Sequence, residues 1–534
     1  MKRISSKKNT AFFDKIGILL SYFLNIVYVI PFYAVIGAEG GVLYSYVYAV
    51  YSLFISLSVT AIPFAICNIV REYQTLGYYT AKKRAFLIGK RVGLLFGFVC
   101  FLFILIFTPM FVKLILGDLV GESNIRNIIF SIRMISSVML VSPILGIYKG
   151  VFEGHRFDNI LSKANCLERI VKFLFIIIVS FVLGKIFKLS SNVVVNVSLI
   201  GITLGVFVSY FYFLYSKKRF RKKFNEKIRN VNEPIITSKV IYKKILMYAI
   251  PFLCIDVYNS LYIFIDVTTV IRGLVDLAKF SILDAEIVMS MFSVWGAIFN
   301  IVLLSLSMAV VSVFLPILTK SVEKRNYKEC SIKINKMISV LLFILLPITI
   351  GISFLAEPVW MLFYGSSKYG ASVLAYFIFV GLIMSLFYAA ISIVRVIKDY
   401  KALFLSLIIG FLIKLLFNTS MIETFYQYGM PAYYGAITSS ILAYLVSFII
   451  CLVSLYIKYK VDYEVVLKHF MDILCGCMLM IVVFFLMKFF VPVVSDVRLV
   501  NFGIIILYIV VGVVVYLLFM AKMGTIKNLF ISKK

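Results

Sequence analysis

The sequence is poor in histidine and in acidic residues. It has two histidines, His155 and His469, and 24 Asp plus Glu among 534 residues. A metal centre with several histidine ligands is therefore implausible, and we expect no metal and no cofactor apart from a coupling ion of unknown identity. The patterns GxxxxGK[ST], HExxH and GxSxG are also absent. These absences argue against an enzyme, and no catalytic residue is predicted.

Cysteine is present, but its spacing does not indicate a disulfide framework. The eight cysteines fall mostly within apolar segments, where cysteine acts as a small buried apolar residue. Cys475 and Cys477 are separated by one residue, which does not fit a CxxC redox site. We therefore predict neither disulfide bonds nor a dithiol redox centre.

Apolar residues far outnumber charged ones. They make up 63% of the chain against 15% charged residues, whereas soluble proteins have roughly 45–50% apolar residues. This composition predicts an all-α integral membrane protein, because the apolar runs lack the alternation of a barrel strand. Fourteen spans are expected, at 11–36, 43–70, 92–116, 128–149, 165–187, 193–215, 246–272, 287–316, 337–364, 372–394, 402–418, 432–457, 468–490 and 499–521.

Positive charge is concentrated between these spans. Segment 216–244 has eleven Lys or Arg against two acidic residues, and the positive-inside rule places it in the cytoplasm. Counted from that anchor, cytoplasmic segments hold 43 Lys plus Arg and external segments hold 9. This asymmetry supports fourteen spans with both termini cytoplasmic. It also attributes the net charge of +30 to membrane topology rather than to nucleic-acid binding.

Three sequence similarities that occur in the same order indicate an internal duplication. Residues 56–84 resemble 305–333, 107–117 resemble 355–365, and 170–175 resemble 412–417. Each copy holds six spans, an even number, so the copies are predicted to be parallel repeats. The expected organisation is two lobes, 1–215 and 245–460, a basic linker at 216–244, and two further helices within 461–534.

Charged residues in or near the spans are the candidates for substrate contact. A charge in hydrocarbon is costly and usually faces a cavity or a partner. The alternatives are solvated positive-inside charge for Lys149 and Lys172, and snorkelling to the interface for Arg272. A cationic cleft between the lobes would suit an anionic substrate such as a pyrophosphate. The candidates are Arg71, Arg133, Lys149, Lys172, Asp266, Arg272 and Lys414.

Three of these candidates carry more specific expectations. The repeat aligns Lys172 with Lys414, so both are expected to face the cleft. Asp266 and Arg272 are six residues apart, about 9 Å along a helix, which is too far for an i,i+4 pair. Asp266 is therefore expected to stabilise a basic cleft residue or a coupling cation. Arg272 would meet a substrate phosphate near the outer mouth.

Several segments resemble the multidrug/oligosaccharidyl-lipid/polysaccharide exporter superfamily, in its bacterial polysaccharide exporter branch. They are G-A-E-G-G-V-L-Y at 37–44, I-P-F-A-I-C-N-I-V-R-E-Y at 62–73, K-G-V-F-E-G at 149–154, I-D-V-T-T-V-I-R-G-L at 265–274 and S-L-S-M-A-V-V-S-V-F-L-P at 305–316. The resemblance covers roughly residues 10–460. The sequence departs from the family pattern at Cys67-Asn68, where Ser-Lys is common, and at Glu153, where Gln is common. Arg71 is the nearest basic substitute.

The resemblance implies a flippase that moves a lipid-linked oligosaccharide, lipid II or a related precursor, by alternating access across the bacterial cytoplasmic membrane. Its partners would be this anionic sugar lipid and membrane lipids, and we expect a monomer. One alternative is a cation-coupled multidrug exporter of the same superfamily. A membrane-embedded glycosyl- or acyltransferase is a second alternative, but it needs an acid/base constellation that the sequence does not show. A scaffold without transport activity is a third.

Overall fold

The computed structural model describes residues 28–56, 61–117, 122–219, 234, 236–495 and 497–530. Every regular element in these ranges is helical, which confirms the predicted all-α class. The chain forms two compact units, Met1–Thr268 and Thr269–Lys534. We call them unit 1 and unit 2. The domain limits predicted from the sequence, with a linker at 216–244, remain a prediction.

Unit 1 contains seven helices and most of an eighth among its described residues. They are α1 Val29–Ser56, α2 Ile62–Thr75, α3 Tyr79–Leu116, α4 Glu122–Ile135, α5 Val138–Gly154, α6 Asp158–Phe181, α7 Ser191–Arg219 and α8 Ser238–Arg272. A π-helical turn, Val182–Ile186, continues α6. Helix α8 ends in unit 2, four residues beyond the boundary between the units.

Ten further helices lie among the described residues of unit 2. They are α9 Ile282–Ser290, α10 Ala297–Glu323, α11 Tyr327–Phe354, α12 Ala356–Tyr364, α13 Gly370–Val396, α14 Tyr400–Gln427, α15 Tyr433–Tyr459, α16 Glu464–Lys488, α17 Arg498–Lys522 and α18 Thr525–Phe530. Two π-helical turns, Gly273–Leu277 and Met291–Trp295, precede α9 and α10 respectively.

Ten helical segments among the described residues are long and apolar enough to cross a membrane. The chain is therefore a multi-pass membrane protein, whereas the exact count of fourteen spans and the duplication remain predictions. Most of the first predicted span, residues 11–27, and most of the basic linker, residues 220–233, lie outside the described part.

Several predicted boundaries differ from the structure; for example, the span predicted at 128–149 contains the end of α4 at Ile135 and the start of α5 at Val138. Two of the differences have a local explanation. Residues 37–42 were expected to separate two spans, but only Gly37 departs from helical geometry, at φ 66° and ψ −169°, so α1 is kinked there. Glycine adopts this backbone conformation at no steric cost. The span predicted at 337–364 is two helices, because α11 ends at Phe354 and α12 begins at Ala356. Pro358 lacks an N–H and fits the first turn of the new helix.

Glycines bring α3 close to α5 in unit 1. Gly93 and Gly97 lie against the Pro143 turn of α5, and a Cβ built at Gly97 would be 2.5 Å from the carbonyl oxygen of Met139. A side chain at Gly97 would therefore force the two helices apart. Small residues at such contacts are typical of helix pairs in membranes, where close packing replaces the hydrophobic effect.

Each of two prolines within helices leaves one backbone carbonyl without its helical hydrogen bond, and a side chain of a neighbouring helix donates to that carbonyl instead. Proline has no N–H, so Pro109 leaves the carbonyl of Leu105 without a helical donor, and Pro347 does the same to Phe343. Arg133 of α4 donates its Nε–H to Leu105 at 3.2 Å. The hydroxyl of Tyr516 in α17 donates to Phe343 at 3.0 Å. The turn that precedes each proline is thereby bonded to a second helix of its own unit.

Candidate functional site

A cavity of about 90 Å³ lies among α1, α5, α6 and α7 of unit 1. This volume exceeds what a single water molecule needs, so the cavity can hold a small polar group or several waters. Two of the predicted site residues, Lys149 and Lys172, line it together, and we call it the lysine cavity. Its lining residues are Tyr51, Ile55, Ser142, Leu145, Gly146, Lys149, Glu168, Lys172, Ile202 and Val206.

Helical spacing brings the polar groups of the lysine cavity together. Ser142 and Lys149 are seven residues apart on α5, which places them two turns apart on one face. Glu168 and Lys172 are four residues apart on α6, one turn from each other. At Gly205 of α7, a Cβ would lie 2.6 Å from the carbonyl oxygen of Glu168. This close approach holds the polar turn of α6 in position.

The lysine cavity carries more positive than negative charge. Lys149 Nζ is 2.9 Å from Glu168 Oε2, and these side chains are only 17% and 26% exposed. Lys172 Nζ lies 5.4 Å from the centroid of the Tyr28 ring, within cation–π range. Lys172 has no ion pair with an acidic residue in the described part of the chain. Two lysines and one carboxylate leave a net charge of about +1, which favours an anion.

Arg71 lies apart from the lysine cavity. Its guanidinium is 3.3 Å from Glu153 Oε1, and the two side chains are 47% and 40% exposed. Glu153 is one of the positions at which the sequence departs from the family pattern. In the structure, Glu153 is therefore paired with Arg71, the residue predicted to replace the family's basic contact. An exposed pair of this kind stabilises the fold little.

Lys414 is fully enclosed between α14 and α15 of unit 2, with 0% exposure. Its ammonium group lies 3.0 Å from Asn418 Oδ1, 3.1 Å from the carbonyl oxygen of Ala436, and 3.2 and 2.6 Å from the hydroxyls of Ser439 and Ser440. Such a set of acceptors is what makes a buried ammonium tolerable. The expected role of Lys414 in the substrate cleft stays a prediction.

Asn418 extends the network around Lys414 towards α8. Its Nδ2 donates to Thr269 Oγ1 at 2.6 Å. Thr269 lies one turn before Arg272, which ends α8 and is half-buried. Asp266, in the preceding turns of α8, is buried at 8% exposure. The roles predicted for Asp266 and Arg272 therefore concern a partly enclosed helix end, and they remain predictions.

Arg133 has an exposed side chain on α4 and bonds to α3, as described above. It is absent from the lining of the lysine cavity. Among the described residues, no group of three or more His, Cys, Asp or Glu is arranged to hold a metal ion. The coupling ion, whose identity is unknown, remains an expectation.

Tyr51 and Ser142 belong to the lysine cavity, and the sequence argument did not select them. Tyr51 lies in an aromatic-rich run, so its residue type carried no signal. Ser142 could have been found, because it lies seven residues before Lys149 and a helical projection places both on one face. Glu168 was visible in the sequence as a nearby charge, but its pairing with Lys149 required the structure.

Comparison with known protein families gives a match over most of the chain. The sequence model described as polysaccharide biosynthesis protein matches residues 8–322. Among curated proteins, the chain is 28% identical to the lipid II flippase MurJ of Bacillus subtilis (strain 168) over 470 residues, which cover 85% of this chain and 83% of that protein. It is 22% identical to the uncharacterized membrane protein YabM of the same organism over 248 residues, 46% of this chain and 43% of that protein.

Solved structures share the fold at low identity. A lipid II flippase MurJ in an inward closed conformation aligns with a TM-score of 0.62 at 15% identity, covering 96% of this chain and 99% of that chain. A multidrug resistance MATE family transporter of the MOP superfamily, in an inward-facing conformation, aligns with a TM-score of 0.61 at 12% identity. It covers 83% of this chain and 96% of that chain.

Proposed function

Because the chain belongs to the polysaccharide biosynthesis protein family, we propose that it is a flippase that moves a lipid-linked oligosaccharide across the bacterial cytoplasmic membrane. Lipid II or a related undecaprenyl-pyrophosphate precursor is the proposed substrate, since the curated relative that covers most of the chain is a lipid II flippase. The observation that carries the proposal is the lysine cavity, where Lys149 and Lys172 meet with one carboxylate.

The proposed chemistry is recognition of a pyrophosphate by the two lysines. Lys172 supplies a positive charge that no acidic residue of the described chain neutralises. Lys149 is held by Glu168 at 2.9 Å, and a phosphate oxygen would compete with that carboxylate for the ammonium. Binding would then lower the cost of the buried excess charge. No bond is made or broken in this step, so the function needs no catalytic residue.

The transport cycle and topology are part of the same proposal. Alternating access would expose the bound head group first to the cytoplasm and then to the outside, while the polyprenyl tail stays in lipid along α16 and α17. The chain would have fourteen spans in two parallel repeats plus the last two helices, with both termini cytoplasmic, and would act as a monomer. Arg71, Arg133, Asp266, Arg272 and Lys414 remain candidate contacts along the path.

The test is translocation of fluorescent lipid II in proteoliposomes that contain the purified chain. Lys172→Gln should slow translocation roughly tenfold, because it removes the unpaired charge from the lysine cavity. The matched control is Lys163→Gln, an exposed lysine on the same helix, which should transport at the wild-type rate. Equal rates for both variants and the wild type would refute the role of the cavity. Absence of translocation by the wild type would refute the proposed substrate.

A cation-coupled multidrug exporter is the second candidate, and the likeness to a MATE family transporter favours it. A site for cationic drugs would require a negative cavity, whereas the lysine cavity has an excess of positive charge. The same proteoliposomes therefore decide between the two. Extrusion of a cationic dye without translocation of lipid II would replace the proposed function by this one.

A further inference from the structure

Helices α3 and α7 both pack against α5, and Tyr148 of α5 lies between them. The ring of Tyr148 meets Phe86 of α3 edge-on at 5.5 Å and Tyr210 of α7 edge-on at 5.6 Å. Lys217, near the end of α7, places its ammonium 4.0 Å from the centroid of Phe86 and 5.6 Å from that of Tyr148. Both distances are within cation–π range. We call Phe86, Tyr148, Tyr210 and Lys217, together with Lys90 of α3, the aromatic clasp.

Lys90 adds a second positive charge to the aromatic clasp. It lies four residues after Phe86, on the same face of α3, and it is close enough to Lys217 for the two ammonium groups to repel. Both lysines are half-buried. Two like charges held together at a partly buried position are unfavourable unless an anion lies between them.

The three helices that form the clasp offer no unpaired carboxylate to neutralise the pair. Helices α3 and α7 contain no Asp or Glu. The one acidic residue of α5, Glu153, pairs with Arg71. Neither Lys90 nor Lys217 forms an ion pair within the ranges that the structure describes. The anion that balances these charges is therefore expected to come from outside this part of the protein.

The position of the clasp indicates where that anion comes from. Exposed apolar side chains, typical of a lipid-facing surface, lie next to both lysines. Leu94, which follows Lys90 on α3, is 46% exposed, and Phe211, which precedes Lys217 on α7, is 60% exposed. Lys90 and Arg91 precede the apolar run of α3, and Lys217 follows that of α7 after Ser216. Lysines at such a boundary lie at head-group depth, where aromatic rings and basic residues are enriched.

We propose that the aromatic clasp binds the phosphodiester head group of an anionic membrane phospholipid, between Lys90 and Lys217, with its acyl chains along the exposed faces of α3 and α7. The rings of Phe86 and Tyr148 fix the Lys217 ammonium so that little side-chain entropy is lost when the lipid binds. None of the clasp residues lines the lysine cavity, and the site depends on no step of the proposed transport function.

The experiment measures lipid retention on the full chain. Purified protein in neutral detergent is titrated with phosphatidylglycerol and with phosphatidylcholine, and bound lipid is counted by native mass spectrometry. Replacing both lysines, Lys90→Gln with Lys217→Gln, should weaken phosphatidylglycerol binding roughly tenfold and leave phosphatidylcholine binding unchanged. The matched control is Lys83→Gln with Lys218→Gln, two exposed lysines on the same two helices, with the same change in net charge. The control should bind like the wild type.

Three results would overturn the assignment. Equal weakening in both double variants would show a diffuse effect of positive charge rather than a site. Unchanged binding in the Lys90 and Lys217 variant would show that the clasp does not hold the head group. Displacement of the lipid by millimolar inorganic phosphate would show a site for free phosphate. If the glutamine variant fails to fold, Lys90→Arg with Lys217→Arg retains the charges and must still prefer phosphatidylglycerol to phosphatidylcholine.

Discussion

Arg133 Nε lies 3.2 Å from the carbonyl oxygen of Leu105, and this is the carbonyl that Pro109 leaves without a helical donor. Removing the guanidinium by Arg133→Gln should lower the free energy of unfolding by about 1 kcal/mol, because the carbonyl then has no donor. In a Pro109→Ala background the new N–H at position 109 would bond Leu105 itself.

A double-mutant cycle therefore tests the pairing of Arg133 with Leu105. Arg133→Gln should cost much less stability in the Pro109→Ala background than in the wild type. The measurement is thermal unfolding of the detergent-solubilised protein for all four variants. Equal costs in the two backgrounds would show that Arg133 does not act through the freed carbonyl.

Substitutions in the pair of Lys149 and Glu168 can distinguish a role in folding from a role in transport. Lys149→Met leaves a half-buried carboxylate without its 2.9 Å partner and should destabilise the protein by roughly 1–3 kcal/mol. Adding Glu168→Gln should restore most of that stability, since no unpaired charge remains. It should not restore lipid II translocation, because the cavity would still lack one lysine. Recovery of both properties in the double variant would show that Lys149 serves the fold alone.

The environment of Asp399, between α13 and α14, leads us to predict that the stability of the protein depends on pH. Its carboxylate is 5% exposed and accepts hydrogen bonds from Lys458 Nζ at 2.8 Å, Ser454 Oγ at 2.5 Å and the backbone N–H of Ala402 at 3.4 Å. Burial by itself raises the pKa of Asp399, but these hydrogen bonds outweigh it and hold the pKa below its ordinary value.

Because the folded pKa of Asp399 is depressed, its stabilisation is complete above the unfolded pKa of about 3.9. It is lost as the pH falls through the folded value. Asp399→Asn should lower stability by about 1 kcal/mol at pH 5–7, given that Lys458 is half-exposed. The difference from the wild type should shrink below about pH 4. A difference that is constant from pH 7 to pH 3 would contradict the ionised role of Asp399.

At position 414, replacement by a neutral side chain is expected to cost less stability than replacement by a larger cation. In Lys414→Met the Ser439 hydroxyl still donates to Asn418 Oδ1 at 2.6 Å, and Ser440 still donates to Ala436 at 3.1 Å. The cost should be roughly 1–2 kcal/mol. Lys414→Arg should cost more, because the side chain is fully enclosed and a planar fork does not match these acceptors. Wild-type stability of the arginine variant would show that the site has unfilled space.

Membrane orientation is testable at described positions on two loops of unit 2. Asn326, between α10 and α11, is predicted to be cytoplasmic, and Ser366, between α12 and α13, external. In a background without the native cysteines, Ser366→Cys should react with an impermeant maleimide in intact cells, and Asn326→Cys should react only after lysis. The reverse pattern would invert the predicted topology. The termini, including Ser532, and linker positions such as Asn230 lie outside the described residues.

Hydrophobicity predicted the all-helical class and the presence of many membrane-length helices because apolar length is a direct requirement of the bilayer. It could not predict the break between α11 and α12, because Phe354, Leu355 and Ala356 are all apolar and the break depends on local backbone geometry at Leu355. Nor could it place the kink of α1 at Gly37 alone, since Gly40 and Gly41 share the residue type but remain helical.

The site was only partly predictable for a related reason. Lys149 and Lys172 were found because charge near a span is rare, and the structure places both on one cavity. The sequence pattern alone could not distinguish these cavity residues from Arg133, whose side chain instead donates a hydrogen bond to α3. That distinction depends on which carbonyl a proline on another helix has freed, and such a contact between distant segments leaves no periodic signal in the sequence.

The hydrogen bond from Tyr516 to Phe343 joins residues separated by 173 positions. During synthesis, α11 leaves the ribosome long before α17 exists, so the carbonyl freed by Pro347 first meets the bilayer without this donor. An unsatisfied carbonyl in hydrocarbon costs several kcal/mol. The nascent chain therefore carries a penalty in α11 that is relieved once α17 is present, so α17 completes an earlier helix as well as forming its own.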